Sequence, residues 1–345
     1  MKKLTIQTGL VDKETVFETI VLAHAVQMPI LLIGEKGTAK TNVVIDYAKS
    51  FLSPEQLRDE LFLTELTEDS KPSDILGKID VAALTQHGLY KKIRPITKSK
   101  VIIINEVDKG STGVRNSMLS VMNEKRIYDG EDKLAVNWEL FVATCNEIPE
   151  EEKTNHFWDR FILKVRVNKT DISNLIMFMQ NRHTKISSEF NLPTMQEIEA
   201  VSFNYSILVE VAKMLRVEGV SDRTITKLDL LIKATMYIFN LDDVQATLKV
   251  ISILCPEILV ELSKKLSSKE EREVMSSIDT ISKTNDLQRK ALELMKLNTL
   301  VSKCTPVVQA KYNSVINKIT KELETAITPI KVEETEYEVV DSYPF

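Results

Sequence analysis

At 345 residues with a formal net charge of -5, the chain is too long for one small domain and has no overall basic field to attract nucleic acid or an anionic membrane. With 43% hydrophobic and 28% charged residues it can bury a sizeable core under an ordinary solvated surface, which excludes a disordered polyelectrolyte. Three cysteines (Cys145, Cys255, Cys304) without metal-type spacing point to neither a disulfide frame nor a zinc site, and no signal sequence or bilayer-length apolar run is present, so a cytoplasmic protein with no membrane partner is expected.

Residues 11–25 carry apolar side chains at helical spacing and predict an opening helix, ended by Pro29. Ile30-Leu31-Leu32-Ile33 then reads as a buried parallel strand running into Gly34, and helical spacing resumes in TNVVIDYAKSFL. Two more buried strands are expected at residues 101–104 and 139–144. Between them lie an amphipathic helix, SMLSVMNEK, and a hairpin turning at Asp129-Gly130. Strands alternating with helices predict an α/β fold whose parallel sheet is sandwiched by helices, with ligands at the carboxyl ends of the strands.

Eight of the nine glycines fall at or before Gly130, so turns belong to the first half and helices to the second. From residue 171 the pattern is helical in DISNLIMFMQNRH, TMQEIEAVSFNYSILVEVAKMLRVEG, TITKLDLLIKATMYIFN and DDVQATLKVISILCPEILVELSKKL. Ser221-Asp222 and Asp242-Asp243 are expected helix starts, capped by their side chains. Amphipathic helices continue to residue 331 before an acidic tail, VEETEYEVVDSYPF, for which a disordered end is the default.

The stretch Gly34-Glu35-Lys36-Gly37-Thr38-Ala39-Lys40-Thr41 has the form of a phosphate loop with alanine in place of one glycine. Such a loop turns a strand into a helix so that backbone N–H groups converge on phosphate oxygens, while lysine adds charge and a hydroxyl ligates Mg²⁺. Ala39 is tolerable there if its φ is helical, which leaves Gly37 to supply the turn. The apolar strand VIII ends in Asn105 and Glu106, residue types suited to supporting Mg²⁺ and polarising an attacking water.

In their order along the chain these motifs resemble the AAA+ ATPases, and within them the MoxR-like group, over roughly residues 11–235. Further matches are KPSDILGKID at 71–80, RPITKSKVIIINEVDK at 94–109, SMLSVMNEKRI at 117–127, FVATCNE at 141–147, FWDRFILKV at 157–165 and VSDR at 220–223. The alanine-bearing loop is common in that family. The resemblance implies an AAA+ core over residues 1–170, an all-α lid over 171–265 and a C-terminal helical extension over 266–345. It implies that Asn146 is the first sensor, that Arg160 is an arginine finger acting in a neighbouring subunit, and that Arg223 is the second sensor, beside Glu106 as catalytic base. Thr41 and Asn105 would hold the metal, and ATP and Mg²⁺ are the implied cofactors.

Where the family pattern reads D-E-I-N-R, this chain has Asn105-Glu106-Val107-Asp108-Lys109, with acid and amide exchanged. Weakened Mg²⁺ affinity and slow hydrolysis are expected, with Asp108 partly restoring the negative field. The resemblance further implies a ring, most often a hexamer, that remodels or matures protein partners, often ones with a von Willebrand factor A domain. It also implies a moving hairpin at residues 71–94, where Tyr90, Lys91, Lys92 and Arg94 form a local basic patch. Two alternatives stay open: a nucleotide-gated assembly protein with weak or no hydrolysis, and a DNA-translocating ring, which the acidic balance disfavours.

Overall fold

The computed structural model describes residues 13–327 except 80, 82–84, 86–91, 94, 130, 131, 153, 154, 170–191, 267, 268, 285 and 305. Expectations for DISNLIMFMQNRH, for Tyr90, Lys91 and Arg94, and for the acidic tail lie outside the described residues. The chain divides into two units between Leu262 and Ser263.

In the first unit the opening helix runs Glu14–Ala25 and leads into β1 (Ile30–Ile33), whose four residues are all buried. The glycine loop and a helix, Lys40–Ala48, follow, then β2 (Leu61–Glu65), β3 (Lys78–Ile79) and β4 (Lys92–Ile93). Beyond them come β5 (Val101–Asn105), the hairpin β6 (Arg126–Asp129) and β7 (Asp132–Ala135), β8 (Leu140–Cys145) and β9 (Leu163–Arg166). Five of these strands form a parallel sheet in the order β2-β5-β8-β1-β9.

The expected strands β1, β5 and β8 are present, the latter two shifted or extended by one residue. SMLSVMNEK is not one helix: the segment is split at Met118 into Thr112–Ser117 and Leu119–Glu124. β3 and β4 pair antiparallel, and β6 pairs with β7.

Alternation sends Leu31, Ile33, Ile102, Ile104, Phe141 and Ala143 to one face, where they pack with Trp138, Phe157, Trp158 and Phe161. The opening helix and the Lys40–Ala48 helix pack on the sheet and on each other, burying Ile20, Leu22, Val43 and Val44. Placing β1 between β8 and β9, while the chain steps to the far edge for β2, creates a switch point at the carboxyl ends of β1 and β8. The glycine loop leaves the sheet at that end.

The helices after residue 194 are Met195–Glu199, Tyr205–Val217, Asp222–Ile225, Leu228–Phe239, Asp243–Leu254 and Leu259–Leu266. Asp242 caps its helix by accepting from the Gln245 N–H, as expected; Ser221 does not cap its own. The Ser221 hydroxyl instead faces the Thr224 hydroxyl at 3.4 Å. Helix Leu228–Phe239 packs on the opening helix, and Lys249 of helix Asp243–Leu254 reaches Glu18 at 2.6 Å, so these two helices are tied to the α/β core inside the first unit.

The second unit contains helices Lys269–Lys283, Leu287–Lys303 and Pro306–Ile327 around Val274, Ile281, Leu297, Val301 and Ile316. Asp286 caps the middle one.

Candidate nucleotide-binding site

Gly34 extends the ladder one residue past β1, donating its N–H to the Cys145 carbonyl at 3.1 Å. A Cβ at this position would stand 2.4 Å from the Val167 carbonyl oxygen, so only glycine fits. The loop then turns at Gly37, whose φ is +80°. Ala39 has φ 63° and ψ 24°, left-handed rather than helical, which corrects the sequence expectation. Its methyl is therefore a strained substitute for the glycine usual there, at a cost of about 1 kcal/mol. Ala39→Gly is expected to raise stability by about that amount, seen as a higher denaturant midpoint at unchanged slope.

The left-handed turn starts helix Lys40–Ala48 and places Lys40 and Thr41 at its first turn. The Lys40 ammonium donates to the Gly34 carbonyl at 2.5 Å and to the Glu35 carbonyl at 2.9 Å. Burial lowers its pKa, opposed by the nearby Cys145, Asp108 and Glu106. Thr38 is buried and donates its hydroxyl to the Glu35 carbonyl at 2.9 Å, bracing the turn, while the exposed Glu35 side chain pairs with Lys169.

Thr41 Oγ1 donates to Asn105 Oδ1 at 2.9 Å, joining the loop to the end of β5. The Thr144 hydroxyl, buried on β8, donates to the same oxygen at 3.1 Å and lies 3.3 Å from the Glu106 N–H. Thr144 was missed in the sequence, where its only signal is a hydroxyl inside an otherwise apolar strand. A hydroxyl and an amide oxygen in contact are hard oxygen donors suited to Mg²⁺, so the residues present fit a Mg²⁺-bound phosphate.

Glu106 follows with φ 53°, its side chain 17% exposed and flanked by two lysines. It pairs with Lys109 and lies 3.5 Å from Lys36. The hydrogen bond from Lys109 lowers its pKa; burial opposes this, and Lys36 adds to the lowering. Asp108 accepts from both the backbone N–H and the side-chain amide of Asn146, at 3.3 and 3.5 Å, while its other oxygen is buried without a hydrogen-bond partner. The carboxylate exchanged into position 108 is thus engaged with Asn146.

These contacts bring together the loop, Asn105, Glu106, Asp108 and Asn146. Arg160 and Arg223 form a separate group: Arg223 lies 3.9 Å from Asp159, and the Arg160 guanidinium makes no hydrogen bond or ion pair among the described residues. Half-buried Arg160 has its pKa lowered by burial and by the neighbouring Arg223 guanidinium. It lines a groove of about 440 Å³ with Leu76, Asn116, Ser120, Asn123 and Tyr128.

A glycine loop, a polar strand end and an asparagine beyond β8, at the switch point of this sheet, belong to a protein of AAA+ architecture. A family model, the MoxR domain in the MoxR-vWA-beta-propeller ternary systems, matches residues 2–201, and the chain belongs to this MoxR-like AAA+ family. Structural protein ORF618 of Acidianus two-tailed virus is 29% identical over 160 residues, covering 45% of this chain and 25% of its own length. The uncharacterized protein MJ0812 of Methanocaldococcus jannaschii is 22% identical over 220 residues, 60% of this chain and 57% of that one. The chain thus spans between a quarter and little more than half of these relatives. A crystal structure of a "putative ATPase" from Cytophaga hutchinsonii shares the fold with TM-score 0.58 at 20% identity, over 75% of this chain and 91% of that one. Among the described residues no helix is long and apolar enough to cross a membrane, and no cluster of three metal-ligating side chains occurs.

Proposed function

We propose that the chain is a MoxR-type ATPase that hydrolyses ATP as a ring and uses the cycle to remodel or assemble a protein partner. The observation that carries this reading is the convergence of Lys40, Thr41, Asn105, Glu106 and Asn146 at the carboxyl ends of β1, β5 and β8. Loop N–H groups and Lys40 would hold the phosphates, and Thr41 with Asn105 would hold Mg²⁺, which would supply charge neutralisation on the phosphates. Glu106 accepts a proton from the attacking water, and Asn146, held by Asp108, orients that water. Arg160, whose guanidinium has no ion pair among the described residues, serves the neighbouring site, and Arg223 reports from the helical region. The family's vWA-containing systems support a von Willebrand factor A protein as the partner.

The test is steady-state ATP hydrolysis with the oligomer mass recorded with and without nucleotide. Turnover in an assembled ring, lost in Arg160→Ala, supports the reading; turnover by a monomer, unchanged in that variant, ends it. A second reading, a nucleotide-gated scaffold, is favoured by Asn105 and by the two lysines on Glu106, and it predicts binding and assembly without turnover.

The lysine pairing also sets a pH dependence. Glu106 is held below the ordinary carboxylate range, chiefly by Lys109, so Lys109→Gln raises its pKa. The acid limb of kcat/KM is then expected at higher pH than in the unsubstituted enzyme; an unmoved limb would show that Lys109 does not set the basicity of Glu106.

A further inference from the structure

Arg115 is a charged residue with 3% of its side chain exposed, on the short helix after the Glu106 turn. Its guanidinium Nη2 donates to Glu152 Oε1 at 2.5 Å, and Nη1 points at the carbonyls of Asp108 (3.4 Å) and Val107 (3.5 Å). It also stacks 5.5 Å from the centre of the Trp158 ring. The other oxygen of Glu152 accepts from the Trp158 indole N–H at 3.1 Å. Trp158 is itself buried, in the helix His156–Asp159 that ends at Arg160.

One buried guanidinium therefore joins the backbone of the catalytic turn, through Glu152, to the helix that presents Arg160. Phe157 of this helix packs against the Trp158 and Phe161 rings in the apolar core. A well-packed hydrophobic replacement for a buried ion pair is often neutral or stabilising, so stability alone is a weak account of Arg115 and Glu152. A planar fork anchored on carbonyls at one side and on a carboxylate and an indole at the other suits a different task, holding two segments in fixed relation.

We infer that Arg115, with Glu152 and Trp158, is a positioning relay that couples the Glu106–Lys109 turn of one subunit to the Arg160 it offers the next. This rests on the ring-ATPase reading above. None of the three side chains is placed against nucleotide; they act through the turn and through Arg160.

Arg115→Lys keeps the charge and loses the fork, and Trp158→Phe keeps the ring and loses the indole donor. Both are expected to bind ATP with unchanged Kd and to assemble normally, while turnover falls by as much as about a hundredfold through misplacement of Arg160. The deciding experiment mixes Arg115→Lys subunits with Glu106→Gln subunits. The former have an intact Glu106 and a misplaced Arg160; the latter have no base and an intact relay. Turnover several-fold above the two separate preparations is expected, because a relay-intact neighbour supplies the arginine. Absence of that rescue, or Arg115→Lys turnover equal to the unsubstituted chain, overturns the relay. Should Arg115→Lys fail to fold, the same mixing is done with Trp158→Phe. Arg160→Ala alone separates the failures: if it leaves turnover unchanged, the ring reading and the relay both fall, whereas loss in Arg160→Ala with none in Arg115→Lys removes only the relay.

Discussion

Lys40→Ala and Glu106→Gln are each expected to reduce ATP turnover by about 10²-fold or more, by different routes. Lys40 sits at the first turn of the loop helix with its ammonium aimed back over the loop carbonyls of Gly34 and Glu35. Replacing it removes the cation that the loop helix aims back over the cradle, and loss of a preorganised charge stabiliser of this kind costs about 10²–10³ in rate. Nucleotide affinity should fall with it, because the charge acts on bound substrate as well as on the transition state. Glu106→Gln keeps size and hydrogen-bonding shape and leaves Lys36 and Lys109 in place, but no longer accepts a proton. The loss is that of general-base catalysis, about 10²–10⁴, with ATP Kd unchanged or tighter. Kd by calorimetry beside turnover separates the two, and an active Glu106→Gln enzyme would remove Glu106 from the role of base.

Gly34→Ala is expected to be the most damaging single methyl in the loop. The new Cβ would lie 2.4 Å from a backbone carbonyl, that of Val167, which has no rotamer to change. Relief requires β1 to part from the segment after β9, where the Val167 N–H bonds the Ile33 carbonyl at 2.7 Å. Overpacking of this kind costs about 1–3 kcal/mol before the lost hydrogen bond is counted. A denaturant midpoint lowered accordingly, together with weakened ATP binding, is the expected result. By contrast Gly37, whose added Cβ would meet no atom within 4 Å, should lose only what its φ of +80° demands. Equal stability of Gly34→Ala and the unsubstituted chain would show that the strand ends are not packed as described.

The parts of the sheet that sequence revealed are those buried on both faces. β1, β5 and the body of β8 are uninterrupted apolar runs, and such runs belong to central strands of parallel sheets. β2 and β9 stayed hidden because they are edges: Leu61–Glu65 is half exposed along its length, and Leu163–Arg166 alternates buried with exposed, so neither offers a continuous apolar signal. The glycine loop and Glu106 were legible from their places at strand ends, but the left-handed Ala39 was not, since composition carries no φ. Thr144 and the Arg115–Glu152 pair come from side chains far apart in the chain, meeting only once the sheet is assembled. Arg160 and Arg223 came from family resemblance, and their shared neighbourhood around Asp159 appears only in three dimensions.

The cysteines have a practical consequence. Cys145, Cys255 and Cys304 are all buried thiols, and burial together with Asp108 pushes the Cys145 thiol up to about 12. Thiolate is the form that alkylating probes attack, so this thiol should be silent toward maleimide at neutral pH, and burial shields the other two. A reporter thiol introduced at exposed Tyr128, on the hairpin beside the Arg160 groove, could then carry a fluorophore on an otherwise native chain, making movement of that hairpin through a nucleotide cycle directly observable.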